Sequence, residues 1–298
     1  MLNPLISIVL PTYNHAHFLD KAIQSVLSQD YDNWELLIID NHSNDNTDEI
    51  ISLFPDKRIR VLKIYNDGVI AASRNFGILE SKGEWIAFLD SDDFWYSNKL
   101  MEVINAIKTY SKGDVFCHSE VFVNENNGHK KVHIIEPITS SAYETLLVEG
   151  NKLSTSATVI SKKFLKTNDL HFREKRNLIA VEDYDFWLLC AKNSANFYFL
   201  DSILGEYRMH TSNESQINVK YFNNLFYLIK DHCFKQQQFT SQKKKLYKLV
   251  HIRVTLSLLK QLFRKRLYHK FLFVMCKTLL FNFRTLINFF FRKSIHFI

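Results

Sequence analysis

Asp90-Ser91-Asp92-Asp93 places three carboxylates within four residues, at the end of the apolar run Glu84 to Asp90 and just before Phe94-Trp95. Carboxylates this close repel one another, and a fold keeps them at a strand end when a cation offsets their charge. A divalent ion bridging to a diphosphate is a natural cation here, since Mg²⁺ and Mn²⁺ take one or two protein carboxylates plus phosphate oxygens. The same acids could instead cap the helix that follows. A second acidic group, Glu182-Asp183-Tyr184-Asp185, opens an apolar helical segment that contains Trp187. A carboxylate there could take a proton from a hydroxyl within hydrogen-bond reach, or could cap the helix N-terminus. No two glycines stand in a G-x-G pattern and no Gly precedes a G-K-S/T, so the dinucleotide fingerprint and the P-loop are both absent.

The elements that must position these acids follow a β-α-β-α order. Leu5 to Leu10, Trp34 to Asp40, Arg60 to Ile64 and Glu84 to Asp90 are rich in Ile, Val, Leu and Phe, as strands of a buried parallel sheet are. Phe18 to Leu27, Ile70 to Leu79 and Asn98 to Tyr110 carry helical spacing. The order predicts an α/β fold, an open parallel sheet with helices on both faces and ligands beyond the carboxyl ends of the strands. Those ends are polar: Pro11-Thr12-Tyr13-Asn14, the run Asp40 to Thr47, and the acid turn itself. Asp114 to His118 and Ser156 to Ile160 are expected to extend the sheet with antiparallel strands, and residues 220–298 read as helical.

These segments together resemble the family 2 glycosyltransferases of the GT-A fold, of the surface-polysaccharide type. The resemblance rests on Pro11-Thr12-Tyr13-Asn14, the run from Ile38 to Thr47, Ala71 to Gly77 and Phe88 to Asp93, in that order over about residues 4–215. It implies a nucleotide-sugar-binding domain over residues 1–218, with a nucleotide half at about 1–112 and an acceptor half at about 113–218. It also implies Mn²⁺ or Mg²⁺, inversion at the anomeric carbon, and a saccharide acceptor, possibly lipid-linked. Pro11, Thr12, Tyr13, Asn14, Asp40, Asn41, Arg74, Asn75, Asp90 and Ser91 would serve the nucleoside-diphosphate sugar. Asp92 and His210 would hold the metal, and Gly77 would allow close helix packing. Asp183 would be the base and Glu182 an acceptor-binding or supporting acid, while Thr155, Ser156, Trp187 and Arg208 would meet acceptor or phosphate. Trp187 could equally be core. Where the family usually has two adjacent Asp after the second strand, this chain has Asp40-Asn41; Asn41 and His42 leave open a non-catalytic scaffold that only binds a nucleotide sugar or a membrane.

Charge divides the 298 residues unequally. The balance is −8 up to Asp231 and +15 beyond it, where no acidic residue occurs. Lys270, Lys277, Arg284 and Arg292 recur at about seven-residue intervals among Phe, Leu and Ile, which predicts one cationic stripe along a helix. With no apolar stretch long enough to span, residues 219–298 are expected to lie on an anionic membrane surface, with packing on the catalytic domain as the alternative. Large apolar residues between the cations disfavour nucleic acid. Four cysteines without C-x-x-C spacing, and no signal-like start, suggest reduced thiols on the cytoplasmic side, peripheral to the inner face of the membrane.

Overall fold

The computed structural model describes residues 3–138, 141–210, 219–236, 243–276 and 278. Its first part alternates as the patterning predicts: β1 (Ile6–Thr12), α1 (Ala16–Leu27), β2 (Trp34–Asp40), α2 (Thr47–Ser52), β3 (Ile59–Lys63), α3 (Ile70–Glu80) and β4 (Trp85–Phe88). Every residue of β1 and β2 is buried, because the sheet is covered on both faces. Period-two alternation then divides β1 between two cores. Ile6, Ile8 and Leu10 meet α1 and α4 (Lys99–Thr109), and Val9 meets the opposite layer with Leu37, Ile39 and Phe88. On that side α3 lies very close: a Cβ at Gly77 would stand 2.4 Å from Val9 Cγ1.

The later strands are β5 (Phe94–Trp95), β6 (Val115–Asn124), β7 (Lys130–His133), β8 (Thr158–Ser161) and β9 (Phe197–Met209). Between them lie α5 (Ala142–Glu149), α6 (Lys162–Thr167) and α7 (Glu182–Lys192). Strand order is β3-β2-β1-β4-β8-β6-β9-β5, with β7 added to β6. The pairs β1·β2, β1·β4 and β2·β3 are parallel, β4·β8 and β8·β6 antiparallel, and β6·β9 parallel again. The sheet is therefore mixed. Both runs expected to be antiparallel join the sheet that way, β8 against β4 and β6 against β8, so β6, two reversals on, points the same way as β4. Consequently the carboxyl ends of β1, β2, β4, β6 and β9 reach one edge.

Pro11 sits within β1 without breaking it. Thr12 carbonyl oxygen accepts from Asn41 N on the β2 side, and Val9 carbonyl oxygen accepts from Leu89 N on the β4 side. Alternation turns the Pro11 nitrogen toward β4, which has already ended at Phe88, so no ladder bond is lost.

Helices α8 (Val219–Asp231) and α9 (Lys243–Arg264) follow, with a π-helical turn, His232–Gln236, after α8. They share the main core, through Phe222, Leu225, Leu228, Ile229, Val250 and Val254. Arg173 binds Asp185 of α7 and reaches Asp231 of α8 at 2.6 Å, and His232 Nε2 lies 2.9 Å from the same Asp185. Helices α8 and α9 thus pack on α7 and the main core. Residues 268–276 are helical and include Lys270; Lys277, Arg284 and Arg292 lie outside the described residues. Among the described residues, no helix is long and apolar enough to cross a membrane.

Candidate active site

The strand ends enclose a cleft of about 520 Å³. At its β1–β2 side the lining includes Pro11, Thr12, Tyr13 and Asn41. Thr12 is buried and its hydroxyl has no hydrogen-bond partner among the described residues, while Tyr13 is 53% exposed. Asn41 Oδ1 accepts from the backbone N–H of Asn66. Two residues expected here do other work. Asp40 is wholly buried; it accepts from Ser43 N and Oγ and from Lys63 Nζ at 2.7 Å, so it ties the β2–α2 loop to β3. Asn14, at φ 52°, donates its N–H to Ser43 Oγ and accepts from Asn44 N, knitting the two loops together. A sequence cannot tell a carboxylate aimed at a ligand from one turned back onto its own loop.

The acid turn after β4 divides its labour. Asp90, Ser91 and Asp92 line the cleft. Asp93 is buried behind them, accepting from Ser156 Oγ and from the backbone N–H of Arg208. Ser156 in turn accepts from Asp90 N at 3.0 Å, and its carbonyl takes Lys99 Nζ and Trp95 Nε1. Ser156 is therefore a brace for the turn and not an acceptor contact; its neighbour Thr155 does line the cleft. Arg208 is turned to Glu125, 3.1 Å away, so its guanidinium is not presented as a diphosphate clamp.

Asp92 and His210 are brought together as expected, Nε2 to Oδ2 at 2.9 Å. His15, which the sequence reading passed over, joins them: its Nδ1 is 2.9 Å from Ser91 Oγ and its ring centroid is 6.1 Å from that of His210. Burial holds the His15 imidazole below its usual pKa against the pull of Asp92. Only its position directly after Asn14 could have signalled it. Among the described residues no group of three or more Cys, His, Asp or Glu makes a ready metal cage. One carboxylate and one imidazole at the rim of a cleft nevertheless suit an ion whose remaining ligands are phosphate oxygens and water.

Across the cleft, Arg74 joins both acid groups. Only 3% exposed, it donates from Nη2 to Asp90 Oδ1 at 2.8 Å and from Nη1 to Glu182 Oε1 at 2.7 Å. Asp183, at the start of α7, faces the cleft and accepts from Asn151 Nδ2 at 3.0 Å. Burial, then the neighbouring Glu182 charge, push the Asp183 carboxyl up to about 7, with Arg74 pulling the other way. Val181 occupies the cap position of α7 without a side-chain cap bond, and Asp183 Oδ1 accepts from the backbone N–H of Tyr184 in the first turn, so this acid serves the helix N-terminus while it lines the cleft. Two expectations fail here. Asn75 exchanges hydrogen bonds with the Phe172 backbone, away from any diphosphate. Trp187 is 0% exposed, packed among Phe88, Phe172 and Phe186, and cannot serve as a sugar platform.

A mixed sheet whose strand ends hold an acid turn, with a facing acid helix, defines the GT-A glycosyltransferases. Residues 7–173 match the family described as Glycosyl transferase family 2, and the chain belongs to that family. An Escherichia coli relative, "UDP-Glc:alpha-D-GlcNAc-diphosphoundecaprenol beta-1,3-glucosyltransferase WfgD", is 33% identical over 217 residues, 72% of this chain and 81% of its own. "Putative teichuronic acid biosynthesis glycosyltransferase TuaG" of Bacillus subtilis is 28% identical over 69% of this chain and 79% of its own. In fold, the chain is similar to S. aureus TarS 1-349 in complex with UDP-GlcNAc, at TM-score 0.63, 20% identity and 82% and 70% coverage of the two chains. A mannosyltransferase from Pyrobaculum calidifontis in complex with GDP-Man and Mn²⁺ gives TM-score 0.62 at 14% identity, covering 97% and 84%. The protein is a glycosyltransferase, akin to enzymes of surface-polysaccharide synthesis.

Proposed function

We propose that this chain moves a sugar from a nucleoside-diphosphate sugar to a saccharide acceptor in a single inverting displacement, with Asp183 as the base. The observation that carries this is Asp183 itself: a carboxylate facing the cleft, raised to about 7, opposite the acid turn. A group poised near neutral pH is suited to accept a proton. As the acceptor oxygen bonds to the anomeric carbon, Asp183 takes its proton, and the bond to the diphosphate breaks with its electron pair leaving on the nucleotide. Asn151 orients the carboxylate through its amide. Arg74 holds Asp90 and Glu182 in a fixed relation, so the donor and acceptor halves meet in one geometry. Thr12, Tyr13 and Asn41 are assigned to the nucleotide. Asp92 and His210 would hold Mn²⁺ or Mg²⁺, which when bound offsets charge on the departing diphosphate.

By likeness to the WfgD relative, whose name specifies a diphosphoundecaprenol-linked sugar, the acceptor is assigned as lipid-linked. The basic region beyond Arg264 would then bring the enzyme to an anionic membrane, on its cytoplasmic face. The test is turnover of UDP-, dTDP- and GDP-sugars, followed by mass spectrometry with Mn²⁺ and a short-chain alkyl-diphosphate sugar as acceptor. One donor turned over by the wild type, and lost in Asp92→Asn and Asp183→Asn, is the expected result. Full turnover by Asp183→Asn would remove it as the base.

A further inference from the structure

Where β6, β7 and β9 meet, the cleft has a wall that the chemistry above leaves unused. Strand register sets Phe122 beside Lys131 of β7 and beside Tyr207 of β9. His133, two residues along β7 from Lys131, shares that face. The rings meet across the strands: Phe122 stacks on His133 with centroids 4.7 Å apart and planes 27° apart, and lies 5.0 Å from Tyr207 at 43°. All three line the cleft, Phe122 and Tyr207 half-buried and His133 exposed. The row is held by its own strands and lines the cleft.

Position indicates what it meets. In the strand order β4 and β8 separate β1 and β2 from β6 and β9, so the wall stands on the far side of the acid turn from Thr12 and Asn41. A nucleotide seated on those two residues leaves the wall to the second substrate. Asn151, Ser154, Thr155 and Asp183 line the same cleft. A flat aromatic face bordered by amide, hydroxyl and carboxylate groups matches a pyranose, whose C–H face packs on rings while its edge hydroxyls form hydrogen bonds. A lipid chain at this point would strip water from those polar groups without offering them hydrogen bonds.

We propose that Phe122, His133 and Tyr207 form an acceptor subsite that stacks on a pyranose ring of the saccharide receiving the transferred sugar. This rests on reading the cleft as that of a nucleotide-sugar transferase with a saccharide acceptor. The experiment uses the full chain with Mn²⁺, the donor that the wild type turns over, and a panel of alkyl-diphosphate-linked hexoses and hexosamines. Initial rates against each substrate separate the two sides of the cleft. Phe122→Leu and His133→Ala raise the acceptor KM about tenfold, the scale of losing an aromatic contact, with the donor KM moving far less, and Phe122→Tyr restores the acceptor KM. Calorimetric binding of UDP and Mn²⁺ to each variant separates this loss from unfolding. An unchanged acceptor KM in both variants overturns the subsite, and a rise confined to the donor KM reassigns the wall to the nucleotide sugar. If the wild type turns over no donor, the transferase reading fails on its own. Saturation-transfer NMR with the same saccharides then decides the wall directly, since saccharide signals that His133→Ala and Phe122→Leu leave unaltered, or no signal at all, overturn it.

Discussion

Replacing Arg74 tests the site at the point where its two halves meet. The guanidinium is buried and shared between Glu182, itself buried, and Asp90, at 2.7 and 2.8 Å. Arg74→Met keeps much of the volume and removes the charge, leaving the Glu182 carboxylate without its cation. Breaking a buried pair from one side costs about 3–5 kcal/mol, which in a chain of this size lowers Tm by about 6–15 °C. Adding Glu182→Gln should recover part of that loss, because the uncompensated charge is removed with it. The same two residues act on Asp183 with opposite signs: Glu182 raises its pKa and Arg74 lowers it. Since the base must be ionised, kcat/KM in the wild type should rise with pH through about 7 and then level off. Arg74→Met should move that inflection up and Glu182→Gln should move it down, each by about one unit or more. Stability by urea titration and pH–rate profiles on all four proteins supply the readings. If the two single variants shift the inflection in the same direction, or neither shifts it, the electrostatic account of Asp183 is wrong. If Arg74→Met unfolds within 1 kcal/mol or so of wild type, the bridge is not structural.

Asp183→Asn should lower kcat by about 10²–10⁴-fold while UDP binding, measured by calorimetry, persists. Asp92→Asn and His210→Ala should each raise the Mn²⁺ concentration for half-maximal rate by about tenfold or more, and chelation should abolish wild-type turnover reversibly. Gly77→Ala should destabilise by about 1–3 kcal/mol in urea, because the new methyl meets Val9 at 2.4 Å. A chain ending at residue 264 keeps α9 in the core and should no longer sediment with anionic vesicles, whereas the full chain should; sedimentation of both would remove the tail from membrane binding.

Periodicity and turn chemistry made the β1–β4 half of the fold legible, because buried parallel strands read as unbroken apolar runs and each ended in a polar cluster. The acceptor half was harder to read. β7, Lys130–His133, has every residue exposed, so it carries no burial alternation to mark it as a strand. β6 is antiparallel to β8 and β7 as expected, but its parallel pairing with β9 was not legible, because direction is set by the intervening chain path and not by composition. Asp92, Glu182 and Asp183 stood out by type and position, Arg74 and His210 only through the family resemblance, and the fold joins Asp92 to His210 and Arg74 to Glu182. Asp40, Asn14, Asn75, Ser156, Arg208 and Trp187 were placed in the right neighbourhood but face their own scaffold. Facing is fixed by register and rotamer, which residue type alone does not encode. His15 was overlooked for the converse reason, since a single imidazole beside a turn acquires meaning only when Ser91 and His210 are seen next to it.

The antiparallel seam at β4 and β8 has a consequence for how such an enzyme diversifies. Among the described residues, the side chains near the cleft that cross it include Arg74 to Glu182, Asp93 to Ser156 and the backbone of Arg208, and Asp92 to His210. These links converge on the acid turn and the start of α7 and not on the cleft face of β6 and β7. Strands β6 and β7 can therefore accumulate substitutions on their cleft face without unsettling the loops of β1 and β2. On the proposed division of the cleft, the β1–β2 side could in this way be inherited intact by lineages whose acceptors differ, with selectivity rewritten on one side of a fixed hinge line in the sheet.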